Sequence, residues 1–274
     1  MATFEAQVEA QTGLTIDSGS SPTQDELSQF LKDGVLDVTS RCLAVRPQDS
    51  EYFVVESTES SSQGGLSTDG GKILHVMRES GTNDDWRECR KIPIGLKDRV
   101  TDSTSLHYAS AYSPAYILSQ YGAVLVFPAP SGSSGQYRIY YVNKTPVNNV
   151  NGNALAYSDS TVRYFPDDKV YLVVIYASIK SLYNALSAHT NPTVVPNFGD
   201  AENWISIEED PEMLAGRIQT INSQITEFQA KVQESVVDYG WMEQRAKSLV
   251  QEYNNAFASM VSPSQRAQQP QGAR

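Results

Sequence analysis

The densest apolar stretch of the chain, Pro166–His189, carries Leu172, Ile175, Tyr176, Ile179, Leu182, Tyr183 and Leu186 at i, i+3, i+4, i+7, i+10, i+11 and i+14. That spacing keeps one face apolar at the helical period and predicts a buried central helix of about six turns. Asp167 or Asp168 stands where a carboxylate can cap the first-turn amides and meet the positive end of the helix dipole. Tyr171–Tyr176 is rich in β-branched and aromatic residues, which leaves a strand open for its first half. The unbroken period favours the helix.

The chain before and after this stretch is patterned differently. Thr3–Gln11, with Phe4 and Val8 on one face, predicts a short first helix, and Gly13 with Asp17–Pro22 predicts a loop. Thr23-Gln24-Asp25-Glu26 is a capping box, in which Thr23 covers the amide of Glu26 and the Glu26 carboxylate reaches back. Leu27, Phe30, Leu31, Val35, Val38 and Cys42 then make an apolar stripe that Pro47 ends. Near the other end, Asp210 is placed to cap and Pro211 to occupy the first helical position. Leu214, Ile218, Ile221, Ile225, Phe228, Val232, Tyr239, Met242, Ala246, Leu249, Tyr253 and Ala256 follow at alternating spacings of four and three, with Ser235 in the one gap. Unbroken to Ser259, this helix would be about 75 Å long at ~1.5 Å per residue. Gly240 is the expected kink or break.

From Glu51 to Asn143 the period shortens to that of strands: Tyr52–Glu56, Lys72–Glu79, Trp86–Ile94, Ala115–Phe127 and Gln136–Asn143. Ser80–Asp85 reads as a hairpin loop, Glu56–Gly71 as a mobile surface loop or assembly arm, and Thr190–Glu209, with Pro192 and Pro196, as an extended connector. The expected fold class is α+β. A helical core is built from the N-terminal helix, the central helix and the long C-terminal helical segment, with an inserted antiparallel β-domain. Residues 1–47 hold the N-terminal helices, 48–160 the β-domain, 161–260 the central and C-terminal helices, and 261–274 a flexible tail.

Composition narrows the function. A 40% hydrophobic content suffices for a core, and a net charge of −11 argues against an ordinary basic nucleic-acid surface while permitting an acidic wall past which DNA can slide. Residues 1–40 hold seven acids against one lysine. Cys42 and Cys89 set no disulfide framework, and MATFEAQVEA lacks a basic region followed by an apolar run; both point to synthesis in a reducing cytoplasm. No window is expected to span a membrane. Asn143-Lys144-Thr145 fits a glycosylation sequon that this compartment would leave unused.

Catalytic chemistry is not legible. His75, His107 and His189 stand alone in sequence, without a Cys, Asp or Glu at metal-ligand spacing. Gly132–Gly135 lacks the strand-to-helix turn of a nucleophile elbow, and Gly64, Gly65, Gly70 and Gly71 lack the Lys-Ser or Lys-Thr of a phosphate loop. Asp84-Asp85, Asp167-Asp168 and Glu208-Glu209-Asp210 are accounted for by turns and caps, with no EF-hand spacing. Tyr137, Tyr140 and Tyr141 suit sheet packing better than base stacking. No catalytic, cofactor-binding or metal-binding residue is assigned, no cofactor is expected, and the protein is expected not to be an enzyme.

The order of the parts carries a resemblance. Leu14-Thr15-Ile16-Asp17, Pro22-Thr23 and the helix from Glu26 to Val35 resemble the opening of head–tail connector proteins of tailed bacteriophages, of the adaptor or neck class. Pro114-Ala115-Tyr116, Leu125–Pro130 and Tyr137–Asn143 are similar to their β-segment, and Phe165-Pro166-Asp167-Asp168 to the start of their second core helix. The match covers about residues 14–46 and 106–190, and the insertion at 50–105 departs from it. The resemblance implies a virion structural protein in a homo-oligomeric ring, most often of twelve copies in that family. Such a ring docks below the portal, contacts tail or neck proteins and lets genomic DNA pass without specific binding, with no membrane partner. The alternative is a tail-fibre or baseplate host-binding module, in which Trp86, Tyr112, Tyr116 and Tyr121 would stack on sugars.

Overall fold

Helix α1 (Phe4–Thr12) opens where the Thr3 hydroxyl accepts from the Ala6 amide, and closes at Gly13, whose φ of +67° lets its amide return to the Glu9 carbonyl. A computed structural model describes the protein over residues 2–68, 70–82, 84–119, 122–188 and 211–260. Helix α2 (Gln24–Val45) begins at the expected capping box: the Glu26 amide donates to Thr23 at 3.3 Å, and the Thr23 amide donates to the Glu26 carboxylate at 2.8 Å. Its stripe of Leu27, Leu31, Val35, Val38 and Cys42 is buried, with Phe30 half-buried at the margin. After Arg46 the chain tightens into a 3-10 segment, Pro47–Phe53. A later short helix, α3 (Lys97–Val100), lies in the β-region.

The central stretch is helical throughout its apolar run, as α4 (Val170–Ala188). The expected aspartate cap is not made. Asp167–Lys169 forms a 3-10 turn after Pro166 with no side-chain cap, and Asp168 pairs with Lys169 at 3.1 Å. Helix α4 is packed by α1, α2 and a last helix, α5 (Pro211–Met260). Burial therefore extends beyond one stripe to Val173, Val174, Ala177, Ser178 and Ser181, while Tyr183 is exposed. The same apolar richness makes 167–188 long and apolar enough to cross a membrane by length and composition, contrary to expectation, although half of that window is buried inside the protein. A helix hydrophobic nearly all round is what enclosure by three neighbours requires.

The β-region forms two sheets. Strands β1 (Val54–Glu56), β7 (Tyr137–Val142), β2 (Ile73–Glu79) and β3 (Trp86–Glu88) make one, in the order β1-β7-β2-β3. Strands β4 (Arg90–Lys91), β5 (Ala115–Leu118) and β6 (Val124–Phe127) make the other. The predicted strand Trp86–Ile94 is divided because the chain changes sheets at Cys89. The Cys89 amide bonds to Val76 in the first sheet, whereas the amides of Arg90 and Ile92 bond to Pro114 and Tyr116 in the second. As a result β4 runs parallel to β5, the one parallel pair among the described strands. The predicted strand Ala115–Phe127 is a hairpin closed by the Ser119 amide on the Ala123 carbonyl.

Three apolar layers follow from strand alternation. Tyr116, Leu118, Val124 and Val126 point between the sheets toward Val76, Tyr137 and Ile139, while Ala115, Ile117, Leu125 and Phe127 point to the far side, where Ile92, Val100 and Ala109 cover them. On the larger sheet, the register shifts between Ile73 and His75. That irregularity lets Ile73 and Val76, three residues apart, both serve the inter-sheet layer and turns Leu74, with Val142, into the helical core. Glu56–Gly71 is not a free arm over its described residues. Ser60 bridges to Tyr137 and Ser67 to Ala123, the Leu66 amide donates to the Tyr137 hydroxyl at 3.1 Å, and Thr68 is buried.

Candidate functional site

The residues considered for chemistry are dispersed. His75 meets the Glu88 carboxylate at 2.8 Å across β2 and β3, beside a cleft of about 400 Å³ lined also by Cys89, Arg90, Lys91 and Tyr116. His107 lies in the loop after α3, and His189 is outside the described residues. Among the described residues no three His, Cys, Asp or Glu side chains lie close enough to share a metal ion. Asp84, at φ +63°, and Asp85 close the β2–β3 hairpin, where the Ser80 hydroxyl donates to Asp85 at 2.6 Å and holds its carboxyl below the usual range. Glu208-Glu209-Asp210 lies outside the described residues. Both cysteines are free and buried; burial raises the Cys42 thiol and pushes Cys89 up to about 12, so neither is an activated nucleophile. Asn143 and Thr145 close a local turn on each other.

The described aromatics proposed to stack on sugars differ in exposure. Tyr116 is buried, Tyr121 is outside the described residues, and the Arg138 guanidinium sits 4.1 Å from the centroid of the Trp86 ring. Arg138 also pairs with Glu56 at 2.9 Å, and Glu56 accepts the Tyr140 hydroxyl at 3.0 Å. Tyr137 is wholly buried between the sheets, with a hydroxyl raised mainly by that burial. Among the described members of the proposed sugar-stacking set Tyr112 is the most exposed, at 73%, with the Arg87 guanidinium 5.9 Å from its ring centroid.

The surface that sets this molecule apart is α5. Its C-terminal half belongs to the core: Ala246, Leu249, Tyr253 and Phe257 are buried, spaced by three or four. It runs antiparallel to α4, with Tyr176 6.0 Å from Tyr253 and Tyr183 beside Lys247. It runs parallel to α2, with Arg41 on Asn254 at 3.4 Å and Arg46 on the Met260 carbonyl at 2.8 Å. Arg245 ties the same helix to the end of α1 through the Gln11 carbonyl at 3.0 Å. Toward its N-terminus Ala246 is the last buried position among the described side chains, while Val236 and Val237 are 65% and 63% exposed and Trp241 is half exposed. The helix continues through Gly240 without a break, because one mid-helix glycine costs only about 1 kcal/mol. The helical backbone from Pro211 to Trp241 spans roughly 45 Å at ~1.5 Å per residue.

One further feature escapes periodicity analysis. Residues 87–99 hold Arg87, Arg90, Lys91, Lys97 and Arg99 against Glu88 and Asp98, a local excess of cations in a chain of net charge −11. Windowed charge counting finds it; the strand and helix patterns do not. No protein-family model and no curated protein matches the chain.

Proposed function

We propose that this chain is a non-enzymatic structural protein of a tailed-phage virion, made in the bacterial cytoplasm. In this reading it is a head–tail connector subunit of the adaptor or neck type, arranged as a homo-oligomeric ring below the portal and in contact with tail or neck proteins. The supporting observation is α5: its C-terminal part is core, and just before that part Val236, Val237, Tyr239 and Trp241 are exposed within six residues, an apolar patch of the kind that neighbouring chains cover. Neighbouring copies or a portal would cover that patch. The acid-rich helical face and the net charge of −11 suit a wall that repels DNA and lets it slide. Mass photometry and negative-stain microscopy of the purified full chain test the reading. Closed rings of high copy number are the expected result. A stable monomer at tens of micromolar would overturn it, and a trimer would favour a fibre or baseplate module instead.

A further inference from the structure

The end of the helical core where α2 stops and α4 starts carries an open groove. It has a volume of about 320 Å³ and is lined by Arg46, Asp49, Tyr52, Pro166, Asp168 and Lys169. Both of its walls are fixed. The 3-10 segment Pro47–Phe53 turns on the Asp49 amide, which donates to the Arg46 carbonyl at 3.1 Å, and the facing wall turns on the Lys169 amide, which donates to the Pro166 carbonyl at 3.0 Å. Phe53 and Phe165, buried next to the two walls, meet edge to face with ring centroids 5.5 Å apart. Two tyrosines stay outward on this braced frame: Tyr52 is 66% exposed, and Tyr171, three residues beyond Asp168, is 49% exposed. The charge of the frame is negative. Residues 46–53 and 166–171 hold Asp49, Glu51, Asp167 and Asp168 against Arg46 and Lys169. Both cations are engaged, Arg46 through its Nε on the Met260 carbonyl at 2.8 Å and Lys169 on Asp168 at 3.1 Å. The next cations along the chain have other partners, since Arg41 pairs with Asp37 and Arg163 lies over the Tyr164 ring. Among the described residues, Asp49, Glu51 and Asp167 make no ion pair.

The segment with the opposite charge starts at the rim of this groove. Helix α5 reaches Met260 beside Arg46, and residues 261–274, which lie outside the described residues, hold Arg266 and Arg274 and no acid. Arg266 stands six residues beyond Met260, at most about 20 Å along an extended chain at ~3.3 Å per residue, so the groove of its own chain is within reach. Carboxylates set among outward tyrosine rings suit a guanidinium, which bonds a carboxylate in its plane and stacks on an aromatic face. A tether this short also favours the chain's own groove over that of a second copy, because it holds the arginine at a local concentration in the millimolar range. We propose that the C-terminal segment turns back on its own chain and docks Arg266 in this groove, against Asp49 and the Tyr52 ring. The segment then fastens the end of α5 to the 3-10 segment and to the start of α4. This contact lies within one chain and holds whether or not copies assemble into a ring.

Disulfide trapping in the full chain tests it. Ser50→Cys with Ser264→Cys places one thiol on the groove wall and one just before Arg266, while the native Cys42 and Cys89 are buried. Oxidation with diamide should give an intrachain disulfide, read by peptide mass and by non-reducing electrophoresis. Adding Arg266→Glu should slow its formation roughly tenfold at low salt, and high salt should slow the parent pair in the same direction. Adding Asp49→Lys and Glu51→Lys to Arg266→Glu should restore the rate, which mere tethering of the segment beside the groove would not predict. Circular dichroism and the thermal midpoint confirm the fold of each variant. Arg266→Glu alters no described residue, so its effect is read even where a groove variant is less stable. Equal rates in all variants would overturn the proposal, because the segment would then pass the groove without binding it. A disulfide that joins two chains would overturn it in favour of an arm exchanged between copies. Neither result decides the ring reading, which mass photometry of the wild type tests separately.

Discussion

The Tyr253 hydroxyl of α5 donates to the Asp37 carboxylate of α2 at 2.6 Å, and Arg41, at 2.8 Å from the same carboxylate, lies 5.1 Å from the Tyr253 ring centroid. This triad fixes the two helices in parallel register at the level where Tyr253 is buried. Tyr253→Phe keeps the packing and removes one hydrogen bond to a charged group, so it should cost about 1–2 kcal/mol. Urea midpoints of Tyr253→Phe, Asp37→Asn and the double variant provide the measurement. Additive effects would mean that the bond contributes nothing, whereas the expected result is a double variant less damaged than the sum.

Alkaline pH should destabilise the fold in a defined window. Burial, and then the hydrogen bond to Asp37, raises Tyr253 above its ordinary value of about 10, and burial pushes Cys89 from 9.0 to about 12. Both groups are held neutral in the folded state, so their contribution is complete below the unfolded values and is lost as pH rises through them. The thermal midpoint should be level from pH 7 to about 8.5 and fall between about 9 and 12, each group removing at most ~1.4 kcal/mol per pH unit. Cys89→Ala should make the early part of the fall shallower, and Tyr253→Phe the part above about pH 10. Unchanged slopes in both variants would assign the fall to other groups.

Gly71 should tolerate no side chain. A Cβ there would lie 2.5 Å from the Val142 carbonyl and 2.9 Å from the Thr68 carbonyl, both of them backbone. Gly71→Ala must shift β7 or the turn at Thr68 and should cost roughly 1–3 kcal/mol. Gly95→Ala, where a Cβ meets nothing within 4 Å, serves as the control. Equal chemical-denaturation midpoints for the two variants would show that 56–71 is looser than its contacts indicate.

Legibility in the sequence followed the range of the interaction. The α+β class, the Thr23–Glu26 capping box and the stripe from Leu27 to Cys42 depend on residues a turn or two apart, and all could be read directly. What could not be read depends on distant partners. The sheet change at Cys89 is set by hydrogen bonds to Val76 on one side and to Pro114 and Tyr116 on the other. The Ser- and Gly-rich composition of 56–71 suggested mobility because composition does not reveal that Leu66 and Thr68 lie down on the sheets. Gly240 looked like a break because local propensity omits the cooperativity of the turns on either side of it. At the candidate surfaces, the apolar series of α5 was visible as a period, but its division into a buried C-terminal part and the exposed positions Val236 to Trp241 was not, because it depends on packing against α1, α2 and α4.

That division governs how α5 can be tested. Ending the chain at Asp238 would remove Leu249, Tyr253 and Phe257 from the core and unfold the protein, so loss of assembly would carry no information. Val236→Glu with Val237→Glu alters only exposed positions and should leave the thermal midpoint within a degree or two, since surface substitutions usually fall within about 0.5 kcal/mol. Leu249→Ala, by contrast, should cost about 2–5 kcal/mol through the cavity it leaves. If the outward half of α5 is covered by neighbouring chains, the two glutamates place unpaired charges in that contact and abolish ring formation while the subunit stays folded. Mass photometry of both variants beside the wild type provides the measurement. Rings formed by the Val236→Glu, Val237→Glu protein at wild-type concentration would show that the helix projects for some purpose other than assembly.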